Sequence, residues 1–465
     1  MGRQKVFVFV FLVFITLTGC RTYYQKQQRF NDYFASGRID QAAQVLASDR
    51  KGERRRTRLL HFMNMGVVHH LLGNYAQSNQ YFERAYLLGE DFQRNPADIA
   101  LSLITNPRMT EYRGEDHELL MIHYYKAMNF IQLGDLDAAL VECRRLNIKL
   151  NALADRFPSD NRYRRDAFIH NLMGIIYEAA GDHNNAFIAY RNAYTIYKED
   201  FSRLFGLEAP RQLKIDLLNA AHRAGFRDQV DFFQREFDIP FTPPAASSNG
   251  NLVFFMANGL GPVKTEWSIN FTIVRGAGGR VDFVNEDLGL SFPFFAGSGD
   301  AATGQLGDLR IVRVAFPRYV ERSPVFSGAR LRVGSQSTTL EKAQNINAIA
   351  FRSLQDRMMR EMGSALLRLA IKQASEQMVR RKDENVGAIL SILNTVTEQA
   401  DTRNWQTLPH SIFYTRLSLP PGEHQLQLEL LLPNQNTGST RLMPVNIRPR
   451  QTSFVNYHVL DSRRP

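Results

Sequence analysis

Residues 61–85 read HFMNMGVVHHLLGNYAQSNQYFERA, and this stretch decides the fold of the first half of the chain. Large and small residues recur here at helical spacing on either side of a turn at Gly73. The small residues allow the two helices to approach each other, and Gly73 supplies the backbone freedom that a helix end needs. The pattern is carried by Phe62, Met65, Gly66, His69, Gly73, Tyr75, Ser78, Phe82 and Ala85.

The same pattern returns in residues 170–193, HNLMGIIYEAAGDHNNAFIAYRNA, and weaker copies occur elsewhere in the first half of the chain. This spacing is typical of tetratricopeptide repeats (TPRs), which are stacked helix pairs. The turn glycines of the copies lie at positions 37, 73, 134, 181 and 225. They are 36, 61, 47 and 44 residues apart, whereas a regular array has a period of about 34. We therefore predict an irregular, TPR-like α-solenoid over residues 20–239.

Two details of the repeats carry further predictions. In the copy around Gly134, Cys143 stands where the other copies have Phe82 and Tyr190, which indicates a buried packing residue and not a nucleophile. The longest insertion, Asn95 to His117, interrupts the array. Long structured insertions in such arrays often lie on the binding face.

The second half of the chain has a different periodicity. Residues 240–250, PFTPPAASSNG, are typical of a linker. Beyond them the apolar residues follow a period of two, which predicts strands in a β-sandwich-like domain over residues 251–465. A segment at about 340–397 has helical spacing and is predicted to be inserted between two groups of strands. The predicted fold class is α+β. The expected strands include 251–257, 267–274 (before a hairpin-like turn at 276–279), 310–316, 330–333, 426–432 and 455–459.

The chain begins with a signal-like segment, MGRQKVFVFVFLVFITLTGC. Two cationic residues precede an apolar run that is shorter than the roughly 20 residues needed to span a bilayer, as in a cleaved secretory signal over residues 1–19. The end of this segment, Leu17-Thr18-Gly19-Cys20, resembles the lipobox of lipoprotein signals, which implies lipidation at Cys20. Arg21 then implies the outer membrane, with the protein facing the periplasm. The alternative is an ordinary signal with a chance cysteine.

Composition limits the possible partners and bonds. Lys and Arg (57) exceed Asp and Glu (46), and the net charge of +11 favours contact with anionic lipids or acidic cell-wall polymers. Nucleic acid is not an expected partner of an exported lipoprotein. With Cys20 used as the anchor, Cys143 is the one remaining cysteine, so no intramolecular disulfide is expected.

The densest polar and aromatic group in the second half consists of Asp401, Arg403, Trp405 and His410. It could supply an acid, a base and an aromatic platform for a sugar, but no serine or cysteine nucleophile occurs in a recognised setting. A buried Arg–Asp pair with Trp405 packed over it explains the same residues without chemistry.

Other possible sites in the sequence favour structural roles. The segment NGLGPVKT (258–265) lacks the spacing of a phosphate loop, and Pro262 removes an amide that such a loop needs. His61, His69 and His70 lack partner ligands at metal spacing, so packing and surface roles are expected for them. We expect no catalytic residue, no cofactor and no metal site.

Five motifs together resemble an uncharacterised family of Gram-negative TPR lipoproteins. They are YRGEDHE (112–118), ALVECRR (139–145), GIIYEAAGD (174–182), GLGPVK (259–264) and DTRNWQTLP (401–409). Members of that family tend to be encoded near lipoproteins that are similar to activators of penicillin-binding proteins. The resemblance implies a role in the cell envelope and implies no reaction.

Two classes of function follow. The favoured one is a non-enzymatic adaptor whose concave repeat surface captures an envelope protein, such as a peptidoglycan synthase or its regulator. The groove of a TPR is lined by the first helix of each pair, which makes Asn64, Asn129 and Asn171, together with Arg145, the candidate contact residues. The alternative is a peptidoglycan- or glycan-binding or glycan-processing protein that uses the group around Trp405.

Overall fold

A computed structural model shows helices in the first half of the chain and sheets in the second. It describes residues 23–49, 52, 56–94, 110–155, 163, 165–243, 248–275, 280–295, 311–380 and 400–463. The predicted signal, Cys20, the turn at 276–279 and most of the Asn95–His117 insertion lie outside these residues. The prediction of mixed helices and sheets, with the helices first, is confirmed.

Ten of the helices described in the first half form five antiparallel pairs. In chain order they are α1 (Gln28–Ala35), α2 (Ile39–Ser48), α3 (Arg58–Leu71), α4 (Tyr75–Arg94), α5 (Asp116–Gln132), α6 (Leu136–Asp155), α7 (Ala167–Ala179), α8 (His183–Ile196), α9 (Arg211–Arg223) and α10 (Arg227–Phe237). Three helices of four or five residues, Tyr23–Lys26, Tyr197–Phe201 and Ser202–Phe205, lie outside the pairs. Each of the five turn glycines lies between the two helices of a pair and has a φ of 73° to 81°. Non-glycine residues rarely adopt this conformation, which explains why glycine occupies every turn. The helical part is therefore built of TPR-like pairs.

Close helix contact within a pair depends on the small residues of the repeat. A Cβ atom on Gly66 would lie 2.5 Å from the ring of Phe82, and one on Gly174 would lie 2.4 Å from the ring of Tyr190. Both rings are buried, and so is Cys143, which is 1% exposed at the equivalent position. The prediction that Cys143 is a packing residue is confirmed by its position in the core.

We expect Gly174→Ala to lower the free energy of unfolding by about 1–3 kcal/mol, because the added methyl group overpacks a close helix contact. Urea denaturation measures this effect. Gly363→Ala is the matched control, since its Cβ would meet the ring of Phe292 at 3.7 Å, an ordinary contact. The control should be neutral or stabilising, because alanine favours helix over glycine. Equal losses in the two variants would contradict the packing argument.

Twelve strands of the described residues form three four-stranded sheets. They are β1 (Gly250–Asn258), β2 (Val263–Arg275), β3 (Arg280–Asn285), β4 (Leu290–Phe295), β5 (Ile311–Val320), β6 (Gly328–Val333), β7 (Gln336–Thr339), β8 (Glu341–Asn345), β9 (Ser411–Leu419), β10 (Gly422–Leu431), β11 (Thr437–Ile447) and β12 (Thr452–Val459). The strand orders are β12-β1-β9-β8, β11-β10-β6-β7 and β4-β3-β2-β5.

The central strand β1 is buried on both faces. Leu252, Phe254 and Met256 share a core with β6 and β10 of the second sheet. The alternate residues, Val253 and Phe255, belong to the same hydrophobic core as the repeat helices. This double burial explains why the sequence of β1 is almost continuously apolar. The first sheet is thus a layer between the second sheet and the helices.

The long helix α11 (Ile346–Arg380) packs on the third sheet. The sequence placed the start of this helical segment at about 340, and that boundary is wrong, because residues 341–345 form β8 and pair with β9. The part of the predicted helix beyond residue 380 lies outside the described residues. None of the described helices combines the length and apolar character needed to cross a membrane.

Candidate functional site: the inner face of the repeats

The three candidate groove asparagines lie inside the protein. Asn64 of α3 is 4% exposed, and Asn129 of α5 and Asn171 of α7 are fully buried. The strands and loops of the second half of the chain cover them. Their contacts are therefore intramolecular, and none of the three offers a surface to a separate partner in this conformation.

Asn64 contacts the loop that precedes β9. Its Oδ1 accepts a hydrogen bond of 2.9 Å from Oγ1 of Thr407, which in turn accepts one of 2.7 Å from the indole N–H of Trp405. One repeat earlier, the side-chain amide of Asn31 donates to Oε1 of Gln406 at 3.0 Å. This loop thereby contacts two successive repeats.

Asn129 organises a second polar contact with the sheet. Its Oδ1 lies 2.6 Å from Nδ1 of His70, and its Nδ2 donates to Oγ of Ser78 at 2.8 Å. The other ring nitrogen of His70 lies 2.8 Å from the side-chain amide of Asn456 on β12. Burial lowers the pKa of His70 to about 4, so the ring is neutral at pH 7. The third asparagine, Asn171, is buried beside Tyr414 of β9.

Three of the sequence motifs meet at the start of α5. Glu115 and Glu118 form a capping box there, and the carboxylate of Glu118 accepts two further hydrogen bonds, from Trp405 and Tyr112. Its Oε1 accepts the backbone N–H of Trp405 at 2.6 Å, while its Oε2 accepts the hydroxyl of Tyr112 at 2.6 Å and the backbone N–H of Glu115 at 3.1 Å. Burial, together with the charge of Glu115, raises the pKa of Glu118 to about 7.

Glu115 is the charged centre of the same junction. Its carboxylate contacts both Nζ of Lys264 at the start of β2 and the guanidinium of Arg357 on α11. Burial by itself raises the pKa of this carboxyl group, but Arg357 and Lys264 outweigh burial and hold its pKa at about 2. The motif around Lys264 therefore supplies a buried ion pair.

The group around Trp405 divides into three parts: an ion pair, a buried indole ring and a separate histidine. Arg403 donates to both carboxylate oxygens of Asp401, at 2.8 and 2.7 Å, and to the backbone carbonyl of Thr110 at 2.9 Å. Trp405 is 1% exposed and packs against Phe82 and Tyr125. A ring buried in this way offers no surface to a sugar.

The last member of that group, His410, makes its own contacts. Its Nε2 lies 2.8 Å from Oε1 of Glu321, and its Nδ1 lies 3.3 Å from Oγ of Ser411. Burial lowers the pKa of His410. The contacts of Arg403 and Trp405 place them in the interface between the two halves of the chain, whereas the contacts of His410 lie within the second half.

A third junction was missed from the sequence. Nη1 of Arg416 on β9 lies 2.6 Å from Glu178 of α7 and 3.4 Å from Asp216 of α9. The two carboxylates are buried, and so is Tyr190, whose hydroxyl donates to Glu178 at 2.9 Å. A sequence signal did exist, because Arg416 interrupts the apolar residues of a strand. Burial raises the pKa of Asp216 to about 6 despite the opposing effect of Arg416.

Arg145 is the exception among the four candidate groove residues. It lies on α6, the second helix of its pair, and its side chain is 44% exposed. Its Nη1 contacts Oε1 of Glu142 at 2.9 Å, and its guanidinium lies 5.8 Å from the centre of the Tyr86 ring. Arg145 is therefore on the outer face of the repeats and remains available to a partner.

Comparisons with known proteins give no family. No protein-family model matches the chain, and no curated protein matches it. Solved structures with similar helices include MamA (TM-score 0.28, 13% identity), which covers 47% of this chain and 94% of its own. BtubC from P. vanneervenii has a TM-score of 0.29 at 16% identity and covers 48% of this chain and 80% of its own. A putative kinesin light chain with TPR-like repeats from Podosopora anserina has a TM-score of 0.30 at 13% identity. It covers 46% of this chain and 93% of its own. The assignment of TPR-like pairs therefore rests on the helices and glycine turns described above.

Proposed function

We propose that the protein is a lipoprotein, anchored in the outer membrane through Cys20 and facing the periplasm, that acts as a non-enzymatic adaptor in envelope or cell-wall assembly. The observation that carries the adaptor role is the division of the repeat surface. The inner face of the helix pairs is occupied by the second half of the same chain, so a partner has to use another face.

The outer face of the repeats offers an apolar surface at its centre. Ile148 is 69% exposed, Leu87 is 55% exposed and Val141 is 42% exposed. Val141, Arg145 and Ile148 follow one another at positions i, i+4 and i+7 of α6, so they share one side of the helix. Tyr86 of α4 lies beside Arg145, with 5.8 Å between the ring centre and the guanidinium, and Leu87 follows it in α4. We name these five residues the outer patch.

The chemistry of the outer patch suits a protein partner. Exposed apolar side chains next to arginine and tyrosine are typical of the energetically important centres of protein interfaces. Three cationic groups, on Lys126, Arg145 and Lys149, lie within 6 Å of the Tyr86 ring centre and hold it in place. A rigid tyrosine loses little conformational entropy on binding. The partner we propose is an envelope protein such as a peptidoglycan synthase or its regulator, which the resemblance to TPR lipoproteins supports.

We expect Ile148→Glu to reduce recovery of the partner by about tenfold, because a carboxylate in an apolar interface costs more than 1.4 kcal/mol. The measurement is in-cell photo-crosslinking from position 87, followed by quantitative mass spectrometry. Leu442→Glu is the matched control, since Leu442 is 64% exposed but lies on β11, far from the repeats in the chain. Cys20→Ala tests the anchor and should release the protein from the membrane fraction. Partner recovery that is the same for Ile148→Glu and Leu442→Glu would reject the outer patch.

A further inference from the structure

The described part of the chain begins at Tyr23, which lies at the contact between the two halves of the molecule. Its backbone N–H donates a hydrogen bond of 3.2 Å to Oγ1 of Thr402, 379 residues further along the chain. The side chain of Tyr23 is 9% exposed and belongs to the hydrophobic core of the repeats. Both halves therefore hold Tyr23, and they fix the point at which the preceding segment leaves the folded protein.

The ends of two helices lie close to this exit point. Burial raises the pKa of the Tyr23 hydroxyl, and the nearby charges of Glu118 and Asp49 raise it further. Glu118 is the third residue of α5, and Asp49 directly follows α2. The start of α5 and the end of α2 are therefore neighbours of Tyr23.

The start of α3 lies at the same place. Arg403, the residue after Thr402, donates from Nη1 to the backbone carbonyl of Arg56 at 3.2 Å. Arg56 precedes α3 by two residues. Three helix ends thus surround the exit point, so it opens on an edge of the repeats and not on the side of a helix. We name the surface around Tyr23, Asp49, Arg56 and Thr402 the exit edge.

The chain between the proposed anchor and the exit edge is short. Cys20 precedes Tyr23 by three positions. A chain spans at most about 3.3–3.6 Å per residue, so the Cα atoms of the two residues are no more than about 11 Å apart. The polar headgroup region on each side of a bilayer is itself about 5–8 Å thick. With the acyl chains of Cys20 in the hydrocarbon core, the space below the exit edge holds little more than the headgroups.

We propose that the exit edge rests directly on the lipid headgroups, so that the lipoprotein is held on the membrane surface and not on a flexible tether. The end of α2 then lies at the membrane, and the turn at Gly37 lies farther from it. This orientation rests on the lipidation of Cys20 in the proposed function. It also means that a partner of the outer patch has to meet the protein at the membrane surface.

Two exposed serines at opposite ends of the α1–α2 pair are matched positions for a probe. Ser48 ends α2 at the exit edge, and Ser36 lies directly before Gly37 in the turn. Because α2 has 10 residues, its two ends are about 15 Å apart. Cys143 is 1% exposed, and burial raises the pKa of its thiol, so it should not react with a maleimide.

The experiment uses Ser48→Cys and Ser36→Cys in the full-length lipidated protein, each labelled with a fluorescent maleimide. The protein is reconstituted into vesicles of phosphatidylethanolamine and phosphatidylglycerol that contain a lipid with a nitroxide quencher on its headgroup. We expect quenching at least about twofold stronger at position 48 than at position 36, because the two ends of α2 differ in distance from the headgroups.

A spacer variant is the matched control. About 20 Gly/Ser residues inserted between Arg21 and Thr22 leave the lipidation site intact and add about 25 Å of flexible reach, so most of the difference in quenching should disappear.

Flotation of the vesicles and the mass of the N-terminal peptide separate the anchor from the orientation. A protein that carries no acyl chains and does not float with the vesicles overturns both. A protein that is acylated and floats, but whose label at position 36 is quenched as strongly as the label at position 48, retains the anchor and overturns the orientation. A difference in quenching that the spacer leaves unchanged overturns the orientation as well.

Discussion

Replacement of Arg416 by methionine is expected to lower the free energy of unfolding by about 3–5 kcal/mol, because it removes the cation that two buried carboxylates share and leaves only Arg223, 3.5 Å from Glu178, beside them. The guanidinium of Arg416 connects β9 to two different helix pairs, through Glu178 of α7 and Asp216 of α9. Methionine retains the apolar stem of the side chain but lacks the guanidinium group, so the loss contains a charge contribution and a packing contribution.

The pH dependence of this loss distinguishes charge from packing. In the wild type, burial raises the pKa of Glu178, but Arg416 outweighs burial and the pKa is lowered. Without Arg416, burial is opposed only by Arg223 and Tyr190 at Glu178 and by Gln212 at Asp216, so the pKa of both carboxyl groups rises. The pKa of Asp216, which burial already raises to about 6, moves further above its value in the unfolded chain. A group of this kind stabilises the folded state at low pH, and that contribution is lost as the pH rises through the folded-state pKa. The destabilisation should therefore be larger at pH 8 than at pH 5.

Urea denaturation at the two pH values measures the effect, and a triple variant supplies the internal control. Glu178→Gln/Asp216→Asn/Arg416→Met removes the carboxylates together with the arginine and should recover a large part of the lost stability, as is common when a whole buried ion cluster is made neutral. Arg441→Met changes an exposed arginine and should shift stability by no more than about 0.5 kcal/mol. A loss in Arg416→Met that is independent of pH, with no recovery in the triple variant, would refute the charge argument.

The repeat fold was predictable because its local signals are strong. Glycine is the residue that adopts the positive φ of each turn at little cost, and Gly66 and Gly174 lie where a methyl group would collide with an aromatic ring. The alternating leucines of β10 likewise follow from burial of one face of a strand. These features depend on residues that are near one another in the chain, so the sequence shows them directly.

The occupied inner face could not be predicted in the same way. Asn64 has the same local sequence whether it binds a separate partner or the second half of its own chain, because its partner Thr407 lies 343 residues away. The same holds for His70, the partner of Asn129, whose contact Asn456 lies 386 residues away. The continuous apolar run of β1 was a partial signal. A strand with apolar residues on both faces needs a second layer against the sheet, and the structure shows β1 buried on both faces. The sequence gives little sign of the charged junctions. Arg416 is a charge within an apolar strand, and Glu115 is a charge within a helix-capping segment.

The His70 contact between α3 and β12 makes stability depend on pH, and we expect lowering the pH from 7 to 4 to remove about 3 kcal/mol of its contribution. Burial lowers the pKa of His70 to about 4, from about 6.5 in an unfolded chain. Above pH 6.5 the ring is neutral in both states. As the pH falls from 6.5 to 4, the unfolded chain takes up a proton that the folded protein excludes, and stability is lost. His117 and His458 also reduce the stability of the folded state as the pH falls, because burial lowers their pKa values to about 3 and about 4.

Buried carboxyl groups act in the opposite direction and must be separated from this effect. The raised pKa values of Glu118 and Asp216 favour the folded state as the pH falls, so they offset part of the histidine effect in the wild type. His70→Gln isolates one site, because glutamine can donate to Asn129 and accept from Asn456 but does not titrate. When the pH is lowered from 7 to 4, the wild type should lose about 3 kcal/mol more unfolding free energy than this variant does. An unfolding free energy of His70→Gln that runs parallel to that of the wild type at every pH would show that His70 is not a pH-sensitive contact of the interface.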